Sequence, residues 1–395
     1  VSYCSALNIH IQHPTFGFAL RLLTLIVLAA WVLAFFRTVV NLALIPRLRR
    51  DEGPVREPLV SIIIPARDEA RVIERTVRAF LAQTYSNFEL IVVNDRSTDA
   101  TGAILRSISD ERLVVIDGEE PPAGWLGKPW ALYQGSRRAR GEILLFVDAD
   151  VIYAPDTLRA AIATFEQRRP ALLTLLPFFE MRGFAENASM PMLAMTCFTF
   201  LPTWLSNRTR GVALAIGGGT GNLVRRDAYD AAGGHEALKD SVVDDVGLAR
   251  LIRRAGGLTT VVRGDDLIAL RMYHGLREVI EGFTKNAFAV FGRNYVVAFL
   301  VAAGCIVFHI GPYVLAVTGD RISIATVVVI TATRLILFRS LRYRFDNALL
   351  LHPVMCAIWL WIFLRSTWLT GVRRKLLWRG RTYDARHTRF GAERR

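Results

Sequence analysis

Four long apolar stretches constrain this chain more than any other feature. They cover about Phe16 to Leu44, Tyr295 to Thr318, Ile322 to Phe338 and Ala348 to Thr370. A helix needs roughly 20 apolar residues to cross a bilayer. The first, second and fourth stretches reach that length. The third is shorter and carries Arg334, so it reads as a span with a snorkelling arginine or as a re-entrant helix. A hydrophobic fraction of 52% and a mean hydropathy of +0.31 agree with lipid-embedded segments.

Charge distribution sharpens this. The 49 Lys and Arg exceed the 35 Asp and Glu, for a net charge of +14. Nucleic-acid binding is one use of such a surplus. Here, however, the basic residues sit beside the apolar stretches: Arg47, Arg49 and Arg50 after the first, Arg339, Arg342 and Arg344 after the third, and an arginine-rich tail from Arg373 to Arg395. That pattern fits an anionic membrane surface, and no nucleic-acid partner is expected. Arg47 to Arg56 place the following segment on the cytoplasmic side, at the cell membrane. Three crossings after it would leave the basic C-terminus outside, so either one C-terminal stretch does not cross or the count is wrong. No basic region precedes the first apolar run and no small-residue cleavage site follows it, so it reads as an uncleaved anchor. Cys4, Cys197, Cys305 and Cys356 fit no zinc or haem spacing and read as isolated reduced thiols.

Glu57 to about Val262 has a different texture. Leu59 to Pro65, Glu89 to Val93, Arg112 to Ile116 and Glu142 to Val147 are β-rich and nearly continuously apolar. Helical spacing appears over Asp68 to Gln83 and Thr98 to Ile108. Alternation of this kind predicts an α/β fold with a mostly parallel sheet covered on both faces. In such sheets ligands bind outside the carboxyl ends of the strands. Three polar clusters lie there: Pro65–Ala66–Arg67–Asp68–Glu69, Asn94–Asp95–Arg96–Ser97–Thr98–Asp99, and Asp148–Ala149–Asp150. They should converge on one edge.

Each cluster has a plain reading and a chemical one. Asp148 and Asp150 put like charges close together, which a divalent cation relieves; they could also cap a helix before Pro155–Asp156. Ser97, Thr98 and Asp99 could simply begin a helix, whereas Asp95 at a strand end can accept hydrogen bonds from a nucleobase or ribose. Lys128 could meet a phosphate, although its surroundings are not a P-loop. Gly217–Gly218–Gly219–Thr220–Gly221–Asn222 reads as a phosphate cradle, a close backbone approach or a flexible turn. Asp244–Asp245 reads as acids favourably placed at a helix N-terminus or as a general base. His235 and His274 could line the site. Leu276 to Tyr295 can form an amphipathic helix with Phe283, Phe288, Phe291, Lys285 and Arg293, acting as a lipid entry point or a plain connector.

Together these motifs resemble family 2 glycosyltransferases, inverting enzymes with a nucleotide-sugar-binding GT-A fold. The matching residues are Val60 to Glu69, Val92 to Asp99, Asp148–Ala149–Asp150 and Asp244–Asp245, in order, over about Pro58 to Asn294. The resemblance implies donor binding by Pro65, Glu69, Asp95, Lys128 and Asp148, a Mg or Mn ion at Asp150, and Asp245 as catalytic base. It puts Gly219, Asn222, Asp244 and Lys285 on the acceptor side. Departures are Asp68 for the usual Asn, Asn94 for an acid, and Asp244 for Glu. The Gln-x-x-Arg-Trp motif of processive synthases is absent, which favours a single transfer over polymerisation. Gly124 to Ala131, Lys285–Asn286 and Trp378 to Tyr383 look similar to membrane-bound members acting on hopanoid or carotenoid-type lipids. The implied partners are a nucleoside-diphosphate sugar, a lipid-like acceptor and the membrane. The implied organisation is an anchor over 1–50, a GT-A-like domain over 57–275, an interfacial helix over 276–294, a transmembrane region over 295–370 and a cytoplasmic tail over 371–395.

Overall fold

The computed structural model describes residues 14–344, 351–378, 381–384 and 388–389. Cys4, the start of the fourth apolar stretch at Ala348, and parts of the basic tail (379–380, 385–387 and 390–395) lie outside the described residues.

The expected apolar runs form strands β1 (Val60–Ala66), β2 (Phe88–Asn94), β3 (Leu113–Asp117) and β4 (Ile143–Phe146). β1 lies between β2 and β4 and is parallel to both, and β2 pairs in parallel with β3. After β5 (Val151–Tyr153), β6 (Leu172–Leu176) and β7 (Phe178–Phe179), strand β8 (Asn222–Arg225) joins β4 and β6 antiparallel, and β9 (Thr259–Arg263) closes the sheet parallel to β6. The sheet order is β3-β2-β1-β4-β8-β6-β9, mostly parallel as the sequence predicts. β10 (Ile268–Leu270) pairs with β5 and β7 in a second, three-stranded sheet.

Alternate residues of β1 serve two cores. Ile62 and Ile64 pack on one face with Ile73, Val77 and Phe80 of the helix Ile73–Leu81. Ile63 packs on the other with Ala131 and Leu132 of the helix Gly127–Arg138. Each fully buried aliphatic side chain contributes about 1.5–3 kcal/mol, so covering both faces is what makes a near-continuous apolar strand stable. Gly135 permits the close approach: a Cβ there would lie 2.5 Å from Ile63 Cγ2.

Among the described residues, four helices are long and apolar enough to cross a membrane: Gly17–Leu44, Tyr295–Val317, Arg321–Leu341 and His352–Val372. The first is bolted to the sheet domain. Thr38 Oγ1 donates to Thr199 Oγ1 at 2.9 Å, and Asn41 Nδ2 donates to the carbonyls of Phe198 and Leu201 at 2.8 Å. Past its end, Leu48 N–H donates to the Arg263 carbonyl of β9. Arg263 in turn donates to the Ser340 carbonyl at 3.1 Å, so the end of Arg321–Leu341 meets the same strand.

The fourth stretch behaves differently from the other three. His352 sits among the membrane helices, beside His309, Trp31 and Arg334. Further along, Trp359 Nε1 donates to the Ser189 carbonyl, and Ser366 Oγ accepts from Phe288 N–H. Thr388 and Arg389 then lie on the sheet domain: Arg389 N–H donates to the Asp240 carbonyl, Val242 N–H donates to the Arg389 carbonyl, and the Arg293 guanidinium donates to Thr388. Ser340 before this helix and Arg389 after it therefore both contact the sheet domain. The third stretch, with Arg334, is an unbroken 21-residue helix, whereas the fourth ends in a π-helical turn, Thr367–Val372.

The single helix expected over Leu276 to Tyr295 is also corrected. Gly275–Thr284 is helical and ends there; turns and a short 3-10 helix, Ala289–Phe291, follow, and Gly292 and Arg293 then take left-handed φ of 64° and 53° before the next helix. Asn294 then caps the next helix by accepting from Val296 and Val297 N–H.

Candidate active site

The parallel register of β1, β2 and β4 brings their carboxyl ends to one edge. The loops after β1 and β2 interlock. Asp95 N–H donates to the Ala66 carbonyl, Asp68 Oδ1 accepts from Thr98 N–H at 2.7 Å, and Asp68 N–H donates to Ser97 Oγ. Asp95 is 5% exposed, and Arg67 Nη1 lies 3.9 Å from its carboxylate. Pro65 is within β1, and Glu69 starts the next helix through its carbonyl. Asp99 accepts from the N–H of Thr101, the first residue of the helix Thr101–Ser107, so its local helix-starting role is real.

The helix-cap alternative for Asp148–Asp150 does not hold, because strand β5 follows them at once. The two acids instead face different cavities. Asp148 lines a small one, about 10 Å³, with Lys128, Gly219, Asn222, His235, Asp244 and Asp245. Asp150 lines a larger cleft, about 190 Å³, with Arg71, Arg75, Glu180, Arg182, Arg271 and His274.

The small cavity is a charge cluster. Lys128 Nζ lies 2.7 Å from Asp148 Oδ1 and 3.2 Å from Asp244 Oδ1. Burial lowers the ammonium's proton affinity, but Asp148, Asp244 and Asp245 outweigh it and hold Lys128 well above its usual pKa. Asp245 is pushed up to about 6 by burial and by Asp244, against the pull of Lys128. His235, beside them, is driven down to about 3 by burial and by Lys128 and stays neutral; its Nδ1 lies 2.8 Å from the Tyr229 hydroxyl. Asp244 and Asp245 begin the helix Asp244–Arg254, as the helix-terminus reading expects.

The glycine-rich segment is a close backbone approach. A Cβ on Gly219 would lie 2.0 Å from Asp148 Oδ2, and one on Gly217 would lie 2.0 Å from the Asp245 carbonyl oxygen. Asp148 N–H donates to the Gly219 carbonyl at 2.7 Å. Asn222 Nδ2 donates to the Asp245 carbonyl while its Oδ1 accepts from Thr174. Lys285 follows the helix Gly275–Thr284 and lines neither cavity.

The arginines of the larger cleft were not singled out from sequence. Arg71 and Arg75 are spaced to share one side of a helical turn behind the first polar cluster. Glu180 and Arg271 follow β7 and β10, which pair in parallel, and Arg182 lies two residues beyond Glu180. Arg271 also makes a two-pronged contact with buried Glu186, at 2.8 and 3.2 Å.

A mostly parallel sheet covered on both faces, with carboxylates gathered at its carboxyl edge, is the arrangement that the GT-A resemblance predicts. Residues 61–233 match the model for glycosyl transferase family 2, so this chain carries a family 2 glycosyltransferase domain. It is 28% identical, over 341 residues, to 4,4'-diaponeurosporenoate glycosyltransferases of Staphylococcus aureus strains MRSA252 and USA300, covering 82% of this chain and 88% of theirs. In fold it is similar to the mannosyltransferase PcManGT of Pyrobaculum calidifontis, solved with GDP-Man and Mn2+. The TM-score is 0.53 at 19% identity, over 89% of this chain and 96% of that one.

Proposed function

We propose that this chain transfers one sugar, with inversion, from a nucleoside-diphosphate sugar to a hydroxyl of a lipid-like acceptor at the cytoplasmic face of the cell membrane. The observation that carries this reading is the division of the site. A carboxylate cluster holding Asp245 adjoins an arginine-lined cleft through the short loop Asp148–Ala149–Asp150.

The arginine side suits the diphosphate. Asp95 serves the nucleoside, Pro65 and Glu69 shape the donor edge, and Lys128 and Asp148 face the sugar and its phosphate. Asp150 offers a hard oxygen at the cleft, which fits Mg or Mn, ions that bind one or two carboxylates plus substrate phosphates. Such an ion would offset the charge on the departing diphosphate. Asp245 takes the proton from the acceptor hydroxyl. The acceptor oxygen bonds to the anomeric carbon from the opposite side, and the bond to the diphosphate breaks with its electron pair. Gly219, Asn222, Asp244 and Lys285 belong to the acceptor side.

We assign 1–50 to an anchor, 57–275 to the catalytic domain, 276–294 to the interface, 295–370 to the membrane region and 371–395 to a cytoplasmic tail. Ser340 before the fourth apolar helix and Arg389 after it both contact the sheet domain, so we read that helix as re-entrant; three crossings then put domain and tail on one side and ease the parity conflict of the basic clusters. The glycolipid reading draws on the lipid-like acceptor in the names of the Staphylococcus relatives.

The test uses the full chain in detergent with a panel of UDP-, GDP- and dTDP-sugars and a lipid extract, reading nucleoside diphosphate release and product mass. One donor should give a mono-glycosylated lipid, lost in Asp245→Asn and Asp150→Ala. A long polymer, or full turnover in both variants, would overturn the proposal.

A further inference from the structure

Away from the catalytic edge, three side chains from two membrane helices converge on one point. His309 lies in a π-helical turn, Cys305–Ile310, inside the second apolar helix. His352 and Cys356 lie one turn apart on the fourth. Their ligand atoms all fall within 4.8 Å of one another. His309 Nδ1 is 3.2 Å from His352 Nε2, and Cys356 Sγ is 3.6 Å from the same nitrogen.

We propose that His309, His352 and Cys356 bind one soft d10 metal cation, Cu(I) or Zn(II), as a structural clip between these two helices. Three arguments converge. The first is geometric: tetrahedral bonds of about 2.0–2.1 Å to nitrogen and about 2.3 Å to sulfur give edges near 3.3 and 3.6 Å. The two separations to His352 Nε2 match, and the third pair lies within 4.8 Å. The second is hydrogen bonding. Arg334 can only donate to His352 Nδ1, so Nε2 carries the ring proton, and His309 and Cys356 both approach that one N–H, which can be given fully to only one of them. A cation between all three satisfies them together. The third is the ligand type, since thiolate and imidazole suit Cu(I) and Zn(II) and not Mg or Ca. The π turn supplies the means, because it rotates His309 out of the α-helical register, and such turns often mark functional positions. The surroundings orient the ligands. Trp31 packs edge-on against both imidazoles, at 5.2 and 5.4 Å between ring centres, and donates its Nε1–H to the Phe308 carbonyl.

Charge favours the monovalent ion. Cu(I) and one thiolate sum to zero, whereas Zn(II) leaves a positive charge among apolar helices and near Arg334. Arg334 Nη1 lies 3.4 Å from His352 Nδ1. With the metal on Nε2, Nδ1 takes the proton and no longer accepts from Arg334, so metal binding turns that guanidinium toward the sulfurs of Met355 and Met195, which already lie 3.5 and 3.7 Å from Nη1.

The test is metal binding by the full chain in detergent. Cu(I) is supplied as its acetonitrile complex under competition with bathocuproine disulfonate, and ZnCl2 is used in a parallel arm. One ion per chain is expected, with absorption-edge spectroscopy showing mixed sulfur and nitrogen ligation. Affinity should fall at least 100-fold in both His352→Ala and Cys356→Ser, and the metal should raise the wild-type melting temperature but not theirs. Tighter Cu(I) than Zn(II) supports the charge argument, and either ion at one per chain supports the site. Equal metal content in wild type and in folded Cys356→Ser, or binding without sulfur ligation, overturns it. Should His352→Ala fail to fold, His309→Gln replaces it with the same expectation. Transfer activity should be retained in Cys356→Ser, since none of these residues lies in the catalytic edge.

Discussion

The two cavities joined by Asp148–Ala149–Asp150 are opposites. The one at Asp148 is nearly filled, and its three carboxylates share a single lysine. The one at Asp150 is roomy, with four arginines against two acids. The first, with three carboxylates around one lysine, suits a proton acceptor; the second, with four arginines, attracts a diphosphate and would weaken a base. Proximity without mixing is the point, since the reacting carbon must lie between them. A base works best when partly desolvated, and a leaving diphosphate needs countercharge.

The contrast can be broken most sharply at Asp245. Asp245→Asn should lower kcat by about 100- to 10,000-fold, the usual contribution of a positioned base. Residual turnover within tenfold of wild type would instead mean an acceptor that already carries its charge, such as a carboxylate. Wild-type kcat/KM should rise with pH through about 6, because the base works only after losing the proton that burial and Asp244 help it retain. A flat profile between pH 5 and 7 would remove Asp245 from that role.

Gly219→Ala tests geometry and not chemistry. Its Cβ would overlap Asp148 Oδ2, so the chain should fold yet lose activity by about 100-fold, as misplacement of a reacting group by about 1 Å can do. An unchanged rate would show that Asp148 can move freely. On the cationic side, Arg71→Ala with Arg182→Ala should raise the donor KM by about tenfold while changing kcat little, the signature of uniform binding. A fall in kcat alone would place these arginines at the transition state. The smallest effect concerns stability. Burial would raise the pKa of Glu186, but hydrogen bonds from Arg271, Arg182 N–H and Gly275 N–H hold it below the usual range. That stability is present above the unfolded-state pKa and lost as pH falls through the folded one. Glu186→Gln should therefore flatten the acid limb of a melting-temperature profile recorded between pH 3 and 6.

Sequence made one half of this contrast legible and hid the other. Asp95, Asp148 and Asp245 stand out because short acids at strand and helix ends have few other uses. The convergence of β1, β2 and β4 follows from strand order alone. The arginine cleft was invisible, since Arg71, Arg182 and Arg271 come from separate elements and each looks like an ordinary surface residue. The split between Asp148 and Asp150 was equally hidden, because residues two apart in a strand share a face and only the turn before β5 parts them. Hydropathy likewise counted the apolar stretches but could not show that Trp359 bonds the Ser189 carbonyl or that Arg389 returns to the sheet domain at Asp240.

Arg389 has a further meaning in time. Its guanidinium and backbone grip Asp240, just upstream of Asp244 and Asp245. The ribosome makes the sheet domain first and Arg389 only after the apolar helices. The segment carrying Asp244 and Asp245 is therefore fastened only once those helices have been synthesised, so this edge of the sheet domain is completed late, by chain made after it.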